Sequence, residues 1–116
     1  MPHTQAHLEA CAHLCHECQD MCLKTIVHCL ELGGKYASRQ HQTFLADCAA
    51  MCGLSHDVLQ RGSALHMHTC RACAEICRAC ADDCERLGAD DTQMHRCAET
   101  CRRCADSCER MAAAGV

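Results

Sequence analysis

A chain of 116 residues with 16 cysteines and a net charge of −4 is the length of a single domain, residues 1–116. The acidic balance and the 2% aromatic content argue against a nucleic-acid partner, because basic side chains are not in surplus and little can stack on bases. No run of about 18 apolar residues occurs, so we expect no membrane span. The first residues contain neither a basic nor an apolar signal region, so we expect a cytoplasmic protein.

Helix-breaking residues divide the chain into four predicted helices. These run from Thr4 to Leu32, from about Ser38 to Gly62, from Ser63 to Gly88, and from Asp91 or Thr92 into the segment Ala112–Gly115. Thr4 is a candidate N-cap, and the first helix stops at Gly33 and Gly34. Short links between four helices of similar length predict an all-α fold, an antiparallel up-down-up-down four-helix bundle.

Cysteines recur at steps of three and four along the predicted helices. The first helix carries Cys11, Cys15, Cys18, Cys22 and Cys29; the second Cys48 and Cys52; the third Cys70, Cys73, Cys77, Cys80 and Cys84; the fourth Cys97, Cys101, Cys104 and Cys108. At about 100° per residue, each set occupies one narrow face of its helix. Such steps are those of core residues in a bundle, so cysteine stands where leucine would ordinarily stand.

A purely structural role does not explain this set. One buried cysteine acts as a small hydrophobic residue. From Cys70 onward, however, the chain has few other large apolar side chains, namely Ile76, Leu87, Met94, Met111 and Val116. A core of thiols is underfilled compared with one of leucine, so selection for packing alone would not produce it.

The spacing favours a soft, low-coordinate metal ion. Cysteines three or four residues apart have Cβ atoms about 5–6 Å apart on one helix face, so two sulfurs can converge on one ion. Cu(I) is the ion that thiolates select. If each thiolate bridges two ions and each ion takes two thiolates, roughly one Cu(I) per cysteine neutralises the core. We therefore predict a non-enzymatic copper store, with all 16 cysteines as ligands.

Other cysteine chemistries remain as rivals. A zinc or other soft-metal buffer would hold about eight Zn²⁺ in tetrahedral sites, and four CxxC pairs resemble zinc knuckles without their turn residues. A thiol-redox protein would need exposed, low-pKa cysteines in a βαβ setting, and no strand is predicted. A disulfide framework belongs to oxidising compartments, and the ferredoxin spacing is absent. A chaperone for single ions would need only one exposed site.

The two ends of the predicted bundle differ in composition. One end collects His7, His56, His66, Met67 and Met111, and the other collects Leu32, Phe44, Leu45, Leu87 and Met94, with His41 at its margin. Imidazole and thioether are weaker ligands that can pass ions inward to thiolates. We therefore add His7, His66, Met67 and Met111 as candidate metal ligands and expect copper to enter there, while hydrocarbon closes the opposite end.

The cysteine motifs resemble those of the bacterial copper storage proteins. The matching segments are Cys70-x2-Cys73-Ala-x2-Cys77-x2-Cys80-Ala-x2-Cys84-Glu85, Met94-x2-Cys97-Ala-x2-Cys101-x2-Cys104-Ala-x2-Cys108-x2-Met111, Asp47-Cys48-Ala-x2-Cys52 and the run from Cys11 to Cys22. The resemblance implies a cysteine-lined four-helix bundle that binds many Cu(I) ions. It also implies a homotetramer, and the lack of a signal resembles the cytosolic branch of that family.

Overall fold

The computed structural model describes residues 4–113. It contains four α-helices, α1 (Gln5–Leu32), α2 (Arg39–Gln60), α3 (His66–Gly88) and α4 (Thr92–Ala113), and a short 3₁₀ helix (Gly34–Ala37) between α1 and α2. The four predicted helices are confirmed, and the 3₁₀ helix was not predicted. The predicted continuation of α4 through residues 114 and 115 lies outside the described residues.

Three helices begin at polar caps. The side chains of Thr4, Ser38 and Asp91 each accept a hydrogen bond from the backbone N–H three residues further on, at 3.2, 3.3 and 2.9 Å. These bonds satisfy backbone donors that have no partner within the helix. At the other end of α1, Gly33 adopts a φ of +73°, which an L side chain rarely tolerates, and its N–H donates to the Cys29 carbonyl.

The start of α3 differs from the prediction. Ser63 does not cap this helix, because its Oγ accepts the N–H of Leu65 at 3.1 Å and so closes a turn before the helix. The helix itself begins at His66, after Leu65, whose side chain cannot cap. Gly62 precedes this turn with a φ of +63°.

The helices form an elongated bundle of 47 × 19 × 19 Å. Each helix packs against two others: α1 and α3 each contact both α2 and α4. The predicted antiparallel up-down-up-down bundle is confirmed. The 3₁₀ helix packs against α1, α2 and α3, at the end of the bundle where α1 ends and α2 begins.

The interior of the bundle is made mostly of sulfur. All 16 cysteines are at most 1% exposed, and few large apolar side chains accompany them, chiefly Leu45, Leu59 and Met94. On the outside, Leu23, Val27 and Leu30 of α1 are about half exposed. Within residues 4–113, no helix has the length and apolar character needed to cross a membrane.

Candidate metal centre

The cysteine sulfurs form a column along the bundle axis. Neighbouring Sγ atoms from different helices lie 3.6–4.0 Å apart, among them Cys15–Cys108, Cys18–Cys101, Cys22–Cys97, Cys48–Cys77 and Cys52–Cys73. With metal–sulfur bonds of about 2.3 Å, two sulfurs bound to one ion lie at most about 4.6 Å apart. The bundle thus already places thiols from different helices within reach of shared ions.

All 16 cysteines, which fall within the described residues, are free thiols. The closest sulfurs, at 3.6 Å, are far from the disulfide bond length of about 2.05 Å. A cross-linked scaffold is therefore not the role of these residues, and the sulfurs remain available as ligands.

Four groups of thiols have Sγ atoms that all lie within 4.8 Å of one another. They are Cys11, Cys70 and Cys108; Cys15, Cys73, Cys104 and Cys108; Cys18, Cys52, Cys77 and Cys104; and Cys18, Cys22, Cys48 and Cys101. Consecutive groups share a member: Cys108, then Cys104, then Cys18. Because of this sharing, the groups form one continuous chain of sites. That arrangement suits ions joined by bridging thiolates.

Burial and mutual hydrogen bonding set the protonation of the thiols. Hydrogen bonding with Cys104, together with burial, raises the pKa of Cys108. Hydrogen bonding with Cys108 and Cys15 lowers the pKa of Cys104. Burial, followed by the charge of Asp91, raises the pKa of Cys29 to about 11. The column therefore holds many protons, which a cation that binds the sulfurs would displace.

The candidate ligands predicted for one end of the bundle are only partly brought inside. His66 and Met67 are half-buried, Met111 is buried and His7 is exposed. His66 precedes Cys70 by one helical turn, and its Nδ1–H donates to the Ser63 carbonyl at 2.9 Å. The groups of closely spaced ligands in residues 4–113 contain neither His7 nor His66.

The opposite end differs from the prediction of a hydrocarbon plug. Leu45 and Met94 are fully buried there as expected, but His41 is fully buried as well and does not lie at the margin. Its Nε2 lies 3.3 Å from Cys29 Sγ, and its Nδ1 lies 2.6 Å from Asp83 Oδ2.

Sequence reasoning missed His41 and Asp83 as interior residues. A signal for His41 was present, because His41, Leu45, Cys48 and Cys52 follow one another at steps of four, three and four. That spacing places His41 on the same face of α2 as its two cysteines. Asp83 carried no comparable signal, since an acidic residue beside Cys84 is ordinarily solvated.

A four-helix bundle with a column of buried, shared thiols defines a protein that binds many soft metal ions. The sequence profile of the copper storage protein family matches residues 3–113. The chain belongs to the copper storage protein family. It binds Cu(I) through cysteines inside the bundle, as predicted from the sequence.

Solved structures agree with this assignment. A protein of Nitrosospira multiformis is 41% identical, with a TM-score of 0.88 over 95% of this chain and 98% of that one. The Cu(I)-bound copper storage protein BsCsp3 is 31% identical, with a TM-score of 0.85 over 92% of this chain and 99% of that one. The apo form of copper storage protein 3 from Bacillus subtilis is 31% identical, with a TM-score of 0.81 over 90% and 98%. No curated protein sequence gives a significant match.

Proposed function

We propose that the whole chain, residues 1–116, is one domain that stores roughly one Cu(I) per cysteine, with all 16 thiolates as ligands. The observation that carries this proposal is the chain of thiol groups joined through Cys108, Cys104 and Cys18. Bridging sulfurs let the number of ions approach the number of cysteines, whereas isolated tetrahedral sites would use four sulfurs each. One Cu(I) per thiolate also leaves the core electrically neutral, and a buried cluster of thiolates requires such neutrality.

An anaerobic titration tests the stoichiometry. Cu(I) is added to the reduced protein in the presence of a chromophoric chelator, and we expect the chelator to remain free of copper until roughly 16 equivalents are bound. A plateau at one or two equivalents would overturn storage. In a parallel titration, retention of about eight Zn²⁺ against excess Cu(I) would favour the zinc buffer instead.

We propose that copper enters and leaves at the end that carries His66, Met67 and Met111, with His7 on the surface beside it. His66 and Met111 lie one helical turn beyond Cys70 and Cys108, so they extend the ligand column outward with weaker ligands. Replacing His66 with Ala and Met111 with Leu together is expected to slow copper loading in stopped-flow measurements, with little effect on the final amount bound.

His68→Ala is the matched control for that measurement. His68 is exposed and lies two residues from His66 on a different face of α3. Equal copper-loading rates in the double variant, the control and the wild type would show that His66 and Met111 have no role in copper uptake.

We also propose that the protein is a cytoplasmic homotetramer that acts by binding and not by catalysis. The stripe Leu23, Val27 and Leu30 on α1 supports assembly, because about half of each of these apolar residues is exposed on one face of the helix. Val27→Glu should shift the sedimentation coefficient towards that of a monomer. The control Leu54→Glu, at an exposed site on α2, should leave it unchanged. A wild-type chain that sediments as a monomer would contradict the tetramer.

A further inference from the structure

Cys29 lies apart from the shared thiol groups. The four groups in the described chain include 12 of the 16 cysteines, and Cys29 belongs to none of them. Its Sγ instead faces the Nε2 atom of His41 at 3.3 Å. With metal–sulfur and metal–nitrogen bonds of about 2.3 and 2.0 Å, two ligand atoms at this separation fit one ion with a bent ligand–metal–ligand angle.

His41 is held with its Nε2 atom towards Cys29. The ring is fully buried, and Nδ1 lies 2.6 Å from Oδ2 of Asp83, which is itself 4% exposed. The other carboxylate oxygen of Asp83 accepts a hydrogen bond from Arg86 Nη2. A carboxylate can only accept, so Nδ1 of His41 carries a hydrogen, and Nε2 is the ring nitrogen that faces Cys29 and can serve as a metal ligand.

A cation bound to Cys29 balances the negative charge of its thiolate. Asp83 and Arg86 neutralise each other across their hydrogen bond. A Cys29 thiolate beside His41 would then be a buried negative charge, which is costly in a low-dielectric interior. One Cu(I) bound between them removes that charge. The Cys29 side chain thus has no net charge either as the protonated thiol or as the thiolate with one bound Cu(I).

A Cys–His–Asp arrangement also activates cysteine nucleophiles in hydrolases. Here Cys29 and His41 are both 0% exposed, so a substrate has no access to the sulfur, whereas an ion that moves along the column of thiols does. The surroundings therefore favour a metal site over a catalytic one.

We propose that Cys29 and His41 form a separate Cu(I) site of mixed thiolate and imidazole ligation at this end of the bundle, with Asp83 as the residue that positions the imidazole. The proposal rests on the storage function, and it adds a nitrogen ligand that the cysteine pattern alone did not include. Carboxylate–histidine–metal arrangements of this kind fix the imidazole tautomer and increase its basicity.

NMR spectroscopy of the ¹⁵N-labelled full chain gives a direct readout, because Cu(I) is diamagnetic. On saturation with Cu(I), the Nε2 resonance of His41 should shift and that of His28 should not. His28 is the matched reference, since it neighbours Cys29 in the chain and pairs with Asp91 at 3.0 Å in a similar His–Asp contact. An unchanged His41 ring in a protein that binds many Cu(I) ions would overturn this site while leaving storage intact.

Variants give a second test in the anaerobic titration. His41→Leu should bind about one Cu(I) fewer than the wild type, and His41→Met should restore that equivalent, because a thioether is a soft ligand. His28→Leu should match the wild type. Full binding by a folded His41→Leu variant would overturn the site, and if that variant does not fold, the NMR result on the wild type decides.

Asp83→Asn tests the positioning role. The amide can still hydrogen-bond to Nδ1, but it no longer selects the tautomer, so affinity for the last equivalent should fall about 10- to 100-fold. The change should appear together with an altered Nε2 shift in the apo protein. Unaltered affinity and tautomer would show that Asp83 has no such role. Failure of the wild type to bind many ions at all would instead overturn the storage function.

Discussion

Cysteines in the column differ in how many thiol groups they serve. Cys104 belongs to two of the groups, and Cys70 belongs only to the terminal one. Both are fully buried, so replacing either with alanine removes the same amount of packed sulfur from the apo core. A difference in copper binding between the two variants therefore reports on ligand sharing and not on packing.

Cys104→Ala should release more copper than Cys70→Ala. The first change leaves two neighbouring groups one ligand short, and we expect it to lose about two ions, against about one for the second change. Anaerobic titration of both variants measures the difference. Identical losses would mean that the thiolates do not bridge neighbouring sites.

Gly88 ends α3 where the fully buried side chain of Met94 packs against it. A Cβ atom at Gly88 would lie 2.3 Å from Met94 Sδ and 2.8 Å from Met94 Cβ. The Cβ of Met94 belongs to the start of α4 and cannot move by rotation of the side chain. We expect Gly88→Ala to destabilise the apo protein by about 1–3 kcal/mol in urea unfolding, as overpacked cores generally do.

Gly53→Ala provides the control for this prediction. An added Cβ at Gly53 would meet the Nε2 atom of Gln19 at 2.3 Å, but this is the far end of a half-buried, flexible side chain. The amide can move aside, and alanine favours the helix by up to about 1 kcal/mol relative to glycine. Gly53→Ala should therefore leave the free energy of unfolding unchanged or increase it. An equal loss of stability in the Gly88→Ala and Gly53→Ala variants would contradict the steric argument.

At the scale of the helices, arginines link α4 to its neighbours on the outside of the bundle. Arg102 donates to Glu85 and Asp82 of α3, both at 2.8 Å, and Arg103 donates to Glu17 of α1 at 3.2 Å. The hydrogen bond from Arg102 lowers the pKa of Glu85. These side chains are well exposed to solvent, so each pair contributes little to stability.

We expect Arg102→Met to lower the free energy of unfolding by less than about 1 kcal/mol at low salt, and by almost nothing in about 1 M NaCl. The pKa of Glu85 is lowered in the folded state, so this carboxylate stabilises the fold at pH values above the ordinary glutamate pKa. That stabilisation is lost as the pH falls through the pKa that Glu85 has in the folded protein. The control is Arg96→Met, since Arg96 of α4 has no ion pair within residues 4–113. If Arg102→Met lowers the free energy of unfolding equally at low and at high salt, Arg102 acts through packing.

At the scale of the whole molecule, copper should add much of the stability that the thiol core lacks. Few large apolar side chains are buried, so the apo bundle has a thin hydrophobic core. A ligand that binds only the folded state stabilises it by about 2.7 kcal/mol per site at a free concentration 100 times its Kd. We expect a large rise in Tm with each added equivalent of Cu(I), measured by calorimetry, and no rise with Mg²⁺.

Loading should also release protons. The thiols are protonated at neutral pH where burial raises their pKa, as at Cys29, whose pKa is about 11. Each thiol that binds Cu(I) loses its proton and becomes a thiolate, so the affinity for Cu(I) should increase with pH until the thiols ionise without metal. A pH-indicator titration should show about one proton released per ion. Copper binding without proton release would mean that the apo column is already ionised.

Much of the fold and the ligand set follows from the order of residues. Steps of three and four place the cysteines of each helix on one face, because the α-helix itself imposes that period. Thr4, Ser38, Asp91 and Gly33 mark helix ends through local hydrogen bonds and backbone geometry that involve only nearby residues. The four helices, their antiparallel order and the inward-facing sulfurs were therefore predictable.

The packing of the helices decided the rest. Which thiols share a group depends on the relative height and rotation of different helices, and no local pattern determines these. Cys11 and Cys108, for example, are separated by 97 residues in the chain, yet their sulfurs lie 3.8 Å apart. His41 meets Asp83, 42 residues away, for the same reason. Periodicity within one helix determines which face a side chain occupies, and only the tertiary structure determines which side chain it faces.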